Sequence, residues 1–127
     1  MDSLKLLILS NDNDDAELLC AVLGEYGFNA DRAVDSDGIQ NKFAEIYYDA
    51  VLIDSLITPR HCLELAGAIR KNSLNSGVTV AVLSRLVPDE ETFVLMEKKK
   101  IFFIYQGDPF GRIAAKLRYI IGSKRSI

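Results

Sequence analysis

The sequence contains few of the residues that most often build metal centres and hydrolytic sites. Among its 127 residues there are two cysteines, Cys20 and Cys62, and one histidine, His61. The cysteines lie far apart and do not have the spacing of metal ligands, so we expect buried, reduced thiols inside two helices. His61 follows Arg60 in a predicted loop, where a solvated side chain is commoner than a catalytic base. No arrangement of Ser, Cys and His predicts a hydrolase.

Long hydrophobic runs and a large excess of one charge are also missing. No apolar run is long enough to span a bilayer, and Met1-Asp2-Ser3 leads into a strand-like run rather than into a signal peptide. The formal net charge of -3 favours neither nucleic acid nor an anionic membrane as a partner. We therefore expect a soluble, cytoplasmic protein that binds neither nucleic acid nor membranes.

The length and the hydrophobic content predict one domain. The 127 residues, 49% of them hydrophobic, suit a single compact domain over residues 1–127 with a buried core. Only residues 122–127 follow the last predicted helix. If the chain is complete, its output is a binding event rather than the action of a fused domain.

Short apolar runs alternate with amphipathic helices, a pattern typical of a parallel sheet with crossover helices. The predicted strands are residues 4–9, 28–34, 50–54, 78–84 and 101–105. The third is continuously apolar until Asp54, so both of its faces should be covered and the strand should be central. The second is partly polar, which indicates an edge or near-edge position. The sequence therefore predicts an α/β fold, an open doubly wound sheet with five helices on its two faces.

The helices are predicted from apolar residues at helical spacing. Gly27 should end the first helix, and Pro88, which precedes three acids, should lie in the first turn of the fourth. The predicted inward-facing residues are Leu19, Val22, Leu23 and Tyr26 in the first helix, Ile39, Phe43, Ile46 and Tyr47 in the second, Cys62, Leu65, Ala66 and Ile69 in the third, and Ile113, Leu117, Ile120 and Ile121 in the last, over residues 110–121.

Polar residues follow four of the five predicted strands. In an open α/β sheet the functional crevice lies beyond the carboxyl ends of the strands, so these residues should converge there. They are Ser10, Asn11 and Asp12 after the first strand, Asp54 at the end of the third, Ser84 and Arg85 at the end of the fourth, and Gln106, Gly107 and Asp108 after the fifth.

The order of these elements, the spacing from the first loop to Gly27-Phe28, and an aspartate that ends an apolar third strand resemble the receiver domains of response regulators. The resemblance to this CheY-like family covers nearly the whole chain. It implies a flavodoxin-like sheet with the strand order 2-1-3-4-5. It also implies that Asp54 is the candidate phospho-acceptor.

The same resemblance implies a magnesium site, because receivers hold Mg²⁺ between two acids after the first strand and the phospho-accepting aspartate. Here Ser10 and Asn11 occupy the positions of the acidic pair, so only part of the site is kept. The candidate ligands are Asp54, Asn11 through its amide oxygen, Asp12 as a substitute one residue further along, and the backbone carbonyl of Leu56. We expect magnesium binding to be weak or lost. Asp12, Asp14 and Asp15 also suit the capping of a helix and its dipole.

Two further positions correspond to the switch residues of the family. Ser84 matches the hydroxyl residue that follows the phosphoryl group. Tyr105 lies near the aromatic residue that changes orientation with it, and Phe103 is the competing alignment. Either aromatic residue is equally compatible with core packing.

The lysine that neutralises the phosphoryl group in receivers is replaced in this chain. Either Gln106 or Asp108 takes its position, and Pro109 keeps the proline that follows. A carboxylate in place of the lysine would alter a contact worth about 4 kcal/mol at about 4 Å and an effective dielectric constant of about 20. Arg85 is a candidate replacement cation, because a guanidinium binds phosphate well.

These substitutions favour a non-enzymatic signalling module, an atypical receiver that acts through protein–protein interaction with impaired or absent phosphorylation. The alternative is a functional receiver that a histidine kinase phosphorylates at Asp54. The expected partner is a histidine kinase or a downstream target, with a homodimer through the fourth helix, fifth strand and fifth helix also open. A flavin or other phosphate-bearing ligand is disfavoured, because residues 10–15 are acidic and contain no glycine.

Overall fold

A computed structural model of the chain describes residues 3–54, 59–71 and 77–125. Its parallel strands are β1 (Leu4–Leu9), β2 (Phe28–Ala33), β3 (Ala50–Asp54), β4 (Thr79–Ser84) and β5 (Ile101–Tyr105). They form one sheet in the order β2-β1-β3-β4-β5, which confirms the predicted strand order. Two strands are one residue shorter than predicted, and Val34, just beyond β2, is 53% exposed.

The helices are α1 (Asn13–Glu25), α2 (Ser36–Phe43), α3 (Pro59–Ile69), α4 (Glu90–Lys98) and α5 (Phe110–Arg125). An aspartate caps three of them, because its carboxylate accepts the backbone N–H three residues later. These caps are Asp12, Asp35 and Asp89, with distances of 3.0, 2.9 and 2.8 Å. Asp89 is the cap of α4, so Pro88 lies before the helix. The prediction that Pro88 lies in the first turn of this helix was therefore wrong. No described helix is long and apolar enough to cross a membrane.

The core forms two layers, one on each face of the sheet. Val51 and Ile53 of β3 face the layer that contains residues of α2, α3 and α4. Leu52 faces the other layer, with residues of α1 and α5. All three β3 side chains are at most 1% exposed, as expected for a central strand covered on both faces.

Two predicted core positions were wrong. Tyr26 and Tyr47 are 44% and 61% exposed, because α1 ends at Glu25 and α2 ends at Phe43, so the helical spacing does not continue to either tyrosine. Tyr48 is fully buried instead, with its ring centroid 5.8 Å from that of Phe43.

Of the two thiols, Cys62 is buried as predicted, whereas Cys20 is only partly buried. Burial is the main cause that raises the pKa of Cys20, and the charge of Asp31 adds to it, while Arg32 opposes both. A raised thiol pKa disfavours the reactive thiolate.

A polar cluster joins the edge strand to the core. The Tyr48 hydroxyl donates to Asp31 Oδ2 at 2.8 Å, and Lys5 Nζ lies 3.2 Å from the same oxygen. Burial alone would raise the pKa of Asp31, but the hydrogen bonds from Tyr48 and Lys5 and the charges of Lys5 and Lys42 outweigh it and lower the pKa. The cluster therefore stabilises the ionised carboxylate.

We expect Tyr48→Phe to lower the free energy of unfolding by about 2 kcal/mol near neutral pH, because a buried hydrogen bond to a charged group is lost. The folded-state pKa of Asp31 is lowered, so its stabilisation is present above the unfolded-state pKa of about 3.9 and is lost as the pH falls through the folded-state value. Urea unfolding of the two proteins should therefore show a stability difference that shrinks in acid. A difference that stays constant with pH would contradict this account.

Candidate functional site

The carboxyl ends of β1, β3, β4 and β5 bring the predicted residues to one edge of the sheet. In the strand register, Leu9 pairs with Ile53, Asp54 with Leu83, and Ser84 with Tyr105. The residues that follow these strands therefore surround the end of β3, as the sequence predicts.

The Asp54 carboxylate is half-buried and accepts hydrogen bonds from two uncharged side chains. Ser10 Oγ donates to its Oδ2 at 3.1 Å, and Gln106 Nε2 donates to its Oδ1 at 3.4 Å. The Asp108 carboxylate forms an ion pair with Lys116 at 2.8 Å. Of the two residues left open at the lysine position, Gln106 is thus the one that contacts Asp54.

The surroundings of Asp54 favour its protonated form. Burial is the main cause that raises the pKa of Asp54; the hydrogen bond from Ser10 opposes it, and the negative charges of Asp15 and Asp12 raise it further. The charged side chains that act on Asp54 are thus acidic, and its two described hydrogen-bond donors, Ser10 and Gln106, carry no charge.

The loop after β1 is attached to the end of β2. Ser10 donates its backbone N–H to the Ala33 carbonyl at 3.0 Å. The Arg32 guanidinium donates to the Ser10 carbonyl through Nε at 3.2 Å and through Nη2 at 3.0 Å. Its Nη1 donates to Asn13 Oδ1 at 2.6 Å. Sequence reasoning missed Arg32, whose only signal is a basic residue near the end of a partly polar edge strand.

The predicted metal ligands have the following places in the structure. Asn11 is exposed, and Asp12 Oδ1 accepts the Asp15 N–H at the start of α1. Leu56 lies outside the described residues. Among the residues that the structure describes, no group of three or more His, Cys, Asp or Glu side chains could hold a metal ion. Mg²⁺ takes hard oxygen ligands and keeps several waters, and Asp54 and Asp12 are the two carboxylates among the predicted ligands that the structure describes.

The predicted switch residues lie at the ends of β4 and β5. Ser84 is 1% exposed, and its Oγ accepts the backbone N–H of Leu86 at 3.0 Å. Tyr105 is its neighbour on β5, and its ring lies over Gly107, where an added Cβ would overlap the ring. The competing residue Phe103 packs edge-on against Phe93.

The two remaining candidate residues, Arg85 and His61, are exposed to solvent. Arg85, the candidate replacement cation, follows Ser84 and is exposed. His61 is exposed as predicted, but it lies in α3 rather than in a loop, and its Nδ1 lies 3.5 Å from the Glu64 carboxylate.

No protein-family model matches the chain, and no curated protein matches it in sequence. Solved structures match it in fold. A response regulator from Thermotoga maritima is 19% identical, with a TM-score of 0.80 over 94% of this chain and 98% of that one. The chemotaxis protein CheY4 of Vibrio cholerae is 12% identical, with a TM-score of 0.78 over 93% and 98%.

A third match is the receiver domain of the sensor histidine kinase PA1611 from Pseudomonas aeruginosa PAO1, which has a magnesium ion in its active-site cleft. It is 14% identical, with a TM-score of 0.74 over 94% of this chain and 98% of that one. At these identities the likeness establishes the fold, and the predicted CheY-like receiver fold is confirmed.

Two substitutions should move the pKa of Asp54 in opposite directions. Ser10→Ala removes a donor that favours the ionised carboxylate, so the pKa should rise. Asp15→Asn removes a nearby negative charge, so the pKa should fall. An NMR titration of the Asp54 carboxyl resonance measures both, and shifts of the same sign would contradict the assigned contacts.

Proposed function

We propose that residues 1–127 form a single receiver-like domain that acts as an atypical receiver in two-component-type signalling. It is not an enzyme, and it works in the cytoplasm by binding a signalling protein, either a histidine kinase or a downstream target. Magnesium-dependent phosphorylation of Asp54 is impaired or absent. The observation that carries this proposal is the pair of uncharged donors, Ser10 and Gln106, on the Asp54 carboxylate.

The electrostatics of the site support the proposal. A phosphoryl group on Asp54 would bring about -2 charges at neutral pH close to the carboxylates of Asp12 and Asp15, which already raise the pKa of Asp54. Gln106 offers one uncharged N–H at 3.4 Å, a long hydrogen bond. A cation about 4 Å away would instead contribute about 4 kcal/mol of attraction at an effective dielectric constant of about 20. Among the described side chains that contact Asp54, neither supplies this attraction to an acyl phosphate.

We expect no stable Asp54 adduct after incubation with magnesium and acetyl phosphate, and no magnesium-dependent binding of beryllofluoride. The mass of the intact protein and its thermal unfolding measure the two effects. A combined variant, Ser10→Asp, Asn11→Asp, Gln106→Lys, introduces two acids and a cation at the site. We expect this variant to form the Asp54 adduct and to bind beryllofluoride in the presence of magnesium.

An adduct on the wild-type protein that disappears in Asp54→Asn would contradict the proposal and support the alternative, a functional receiver. Arg85→Ala then tests the replacement cation. Labelling that survives this substitution unchanged would exclude Arg85 from that role.

The surface of α4, β5 and α5 is our proposed partner face. Several large apolar side chains are exposed there, namely Phe93, Val94, Phe102, Tyr105, Phe110 and Tyr119. Two hollows of about 370 and 280 Å³ lie on either side of Phe102 and Phe103. Clustered apolar residues on a monomer surface mark interaction sites.

We propose a second copy of the chain as the occupant of this face. The two hollows carry charges of both signs, with Glu97 and Lys100 at one and Arg112 and Lys116 at the other. A two-fold interface brings the same patch of both subunits together, so that acidic and basic residues of the two copies can face each other.

The double variant Phe102→Glu, Tyr119→Glu should shift the protein from dimer to monomer in sedimentation velocity, because it places charge in the apolar contact. Tyr47→Glu is the matched control, since Tyr47 has an exposed fraction between those of Phe102 and Tyr119 but lies outside this face. A wild-type protein that sediments as a monomer at every concentration would rule out the homodimer.

A further inference from the structure

Arg32 connects the edge strand to the candidate site without touching Asp54 itself. Its guanidinium is partly buried at the end of β2 and binds two groups of the loop after β1, the Ser10 carbonyl and the Asn13 side chain. We infer that Arg32 is a positioning residue, which holds this loop so that the Ser10 hydroxyl stays on the Asp54 carboxylate.

The backbone of Ser10 is fixed on both sides by β2. Its N–H donates to the Ala33 carbonyl at 3.0 Å, and its carbonyl accepts from Arg32 at 3.0 and 3.2 Å. The third bond of Arg32, at 2.6 Å to Asn13, fixes the first residue of α1. A planar guanidinium holds two such groups with donors in a rigid fork, whereas the three donors of a lysine ammonium rotate on a flexible stem.

This anchoring decides where the Ser10 hydroxyl points. Its oxygen accepts the Asp12 N–H at 3.2 Å, and its one proton has two acceptors in reach, Asp54 Oδ2 at 3.1 Å and the Asp12 carbonyl at 3.3 Å. A carboxylate is the stronger acceptor, but the two distances differ by only 0.2 Å. A small movement of the loop is therefore enough for the Ser10 hydroxyl to rotate and donate its hydrogen bond to the Asp12 carbonyl instead of to Asp54.

The role of Arg32 rests on the proposed function, in which Asp54 keeps its contacts and is not a phosphorylation switch. In that setting Arg32, Ser10 and Asp54 link the edge of the sheet to its centre. A partner that engaged Arg32 would change the contacts of Asp54, although the two side chains do not meet.

The test compares NMR spectra of single and double variants at one pH, without magnesium or a phosphodonor. In Arg32→Gln, the Asp54 carboxyl resonance should move toward its position in Ser10→Ala, and the Asp12 amide resonance should shift because the loop that holds it is released. The double variant should leave the Asp54 resonance where Ser10→Ala places it, because both substitutions remove the same hydrogen bond to Asp54. Arg32→Lys should recover only part of the change.

Arg70→Gln is the matched control. Arg70 is also partly buried, and it donates to the backbone carbonyls of Lys99 and Lys100 at the end of α4. A merely structural effect of losing a guanidinium would appear in both variants. We expect Arg70→Gln to leave the Asp12 and Asp54 resonances unchanged.

Unchanged Asp12 and Asp54 resonances in Arg32→Gln, or an additive shift of the Asp54 resonance in the double variant, would overturn the inference. If Arg32→Gln does not fold, Asn13→Ala, which removes one of the anchors of Arg32, should shift both resonances in the same direction by a smaller amount. Unchanged Asp12 and Asp54 resonances in Asn13→Ala would equally overturn the positioning role of Arg32. Labelling of Asp54 by a phosphodonor, in contrast, would contradict the proposed function and leave the spectra as expected.

Discussion

One carboxylate, at the end of a strand that is buried on both faces, is the constraint around which the site is arranged. β3 cannot end in solvent, because its neighbours β1 and β4 extend beside it to the same edge. Asp54 is therefore half-buried, and burial favours its protonated form. The ionised carboxylate thus costs the folded state stability at neutral pH, and the hydrogen bond from Ser10 offsets part of that cost. The loop after β1 and the turn after β5 each contribute one hydrogen-bond donor to the Asp54 carboxylate.

The receiver fold and the chemistry of the site are separate properties of this chain. Solved receivers match it over more than nine-tenths of their length at 12 to 19% identity, so the layered packing is kept while most side chains differ. A shared fold does not fix the chemistry of a site, which depends on a few side chains. Here two of those side chains, Ser10 and Gln106, bind the carboxylate without adding charge.

The sequence predicted the sheet well, because strand burial leaves a strong pattern in apolar residues. Helix ends were less predictable: periodicity alone carried the inward faces on to Tyr26 and Tyr47, whereas the helices had already ended. The choice between Gln106 and Asp108 depended on the shape of a turn, which spacing does not determine. Arg32 was missed because one of its partners is the backbone carbonyl of Ser10, which does not depend on the identity of that residue, and the other, Asn13, lies 19 residues away in the sequence.

The turn after β5 has a consequence for how this protein can change over evolutionary time. Gly107 lies beneath the ring of Tyr105, and an added Cβ would overlap that ring. The residue just before it, Gln106, donates to Asp54. A lineage that replaces the glycine must therefore also move the tyrosine ring or reshape the turn that presents the amide. A substitution at position 107 should accordingly be accompanied by a change at position 105, so that a surface aromatic residue constrains the turn that carries a hydrogen-bond donor to Asp54.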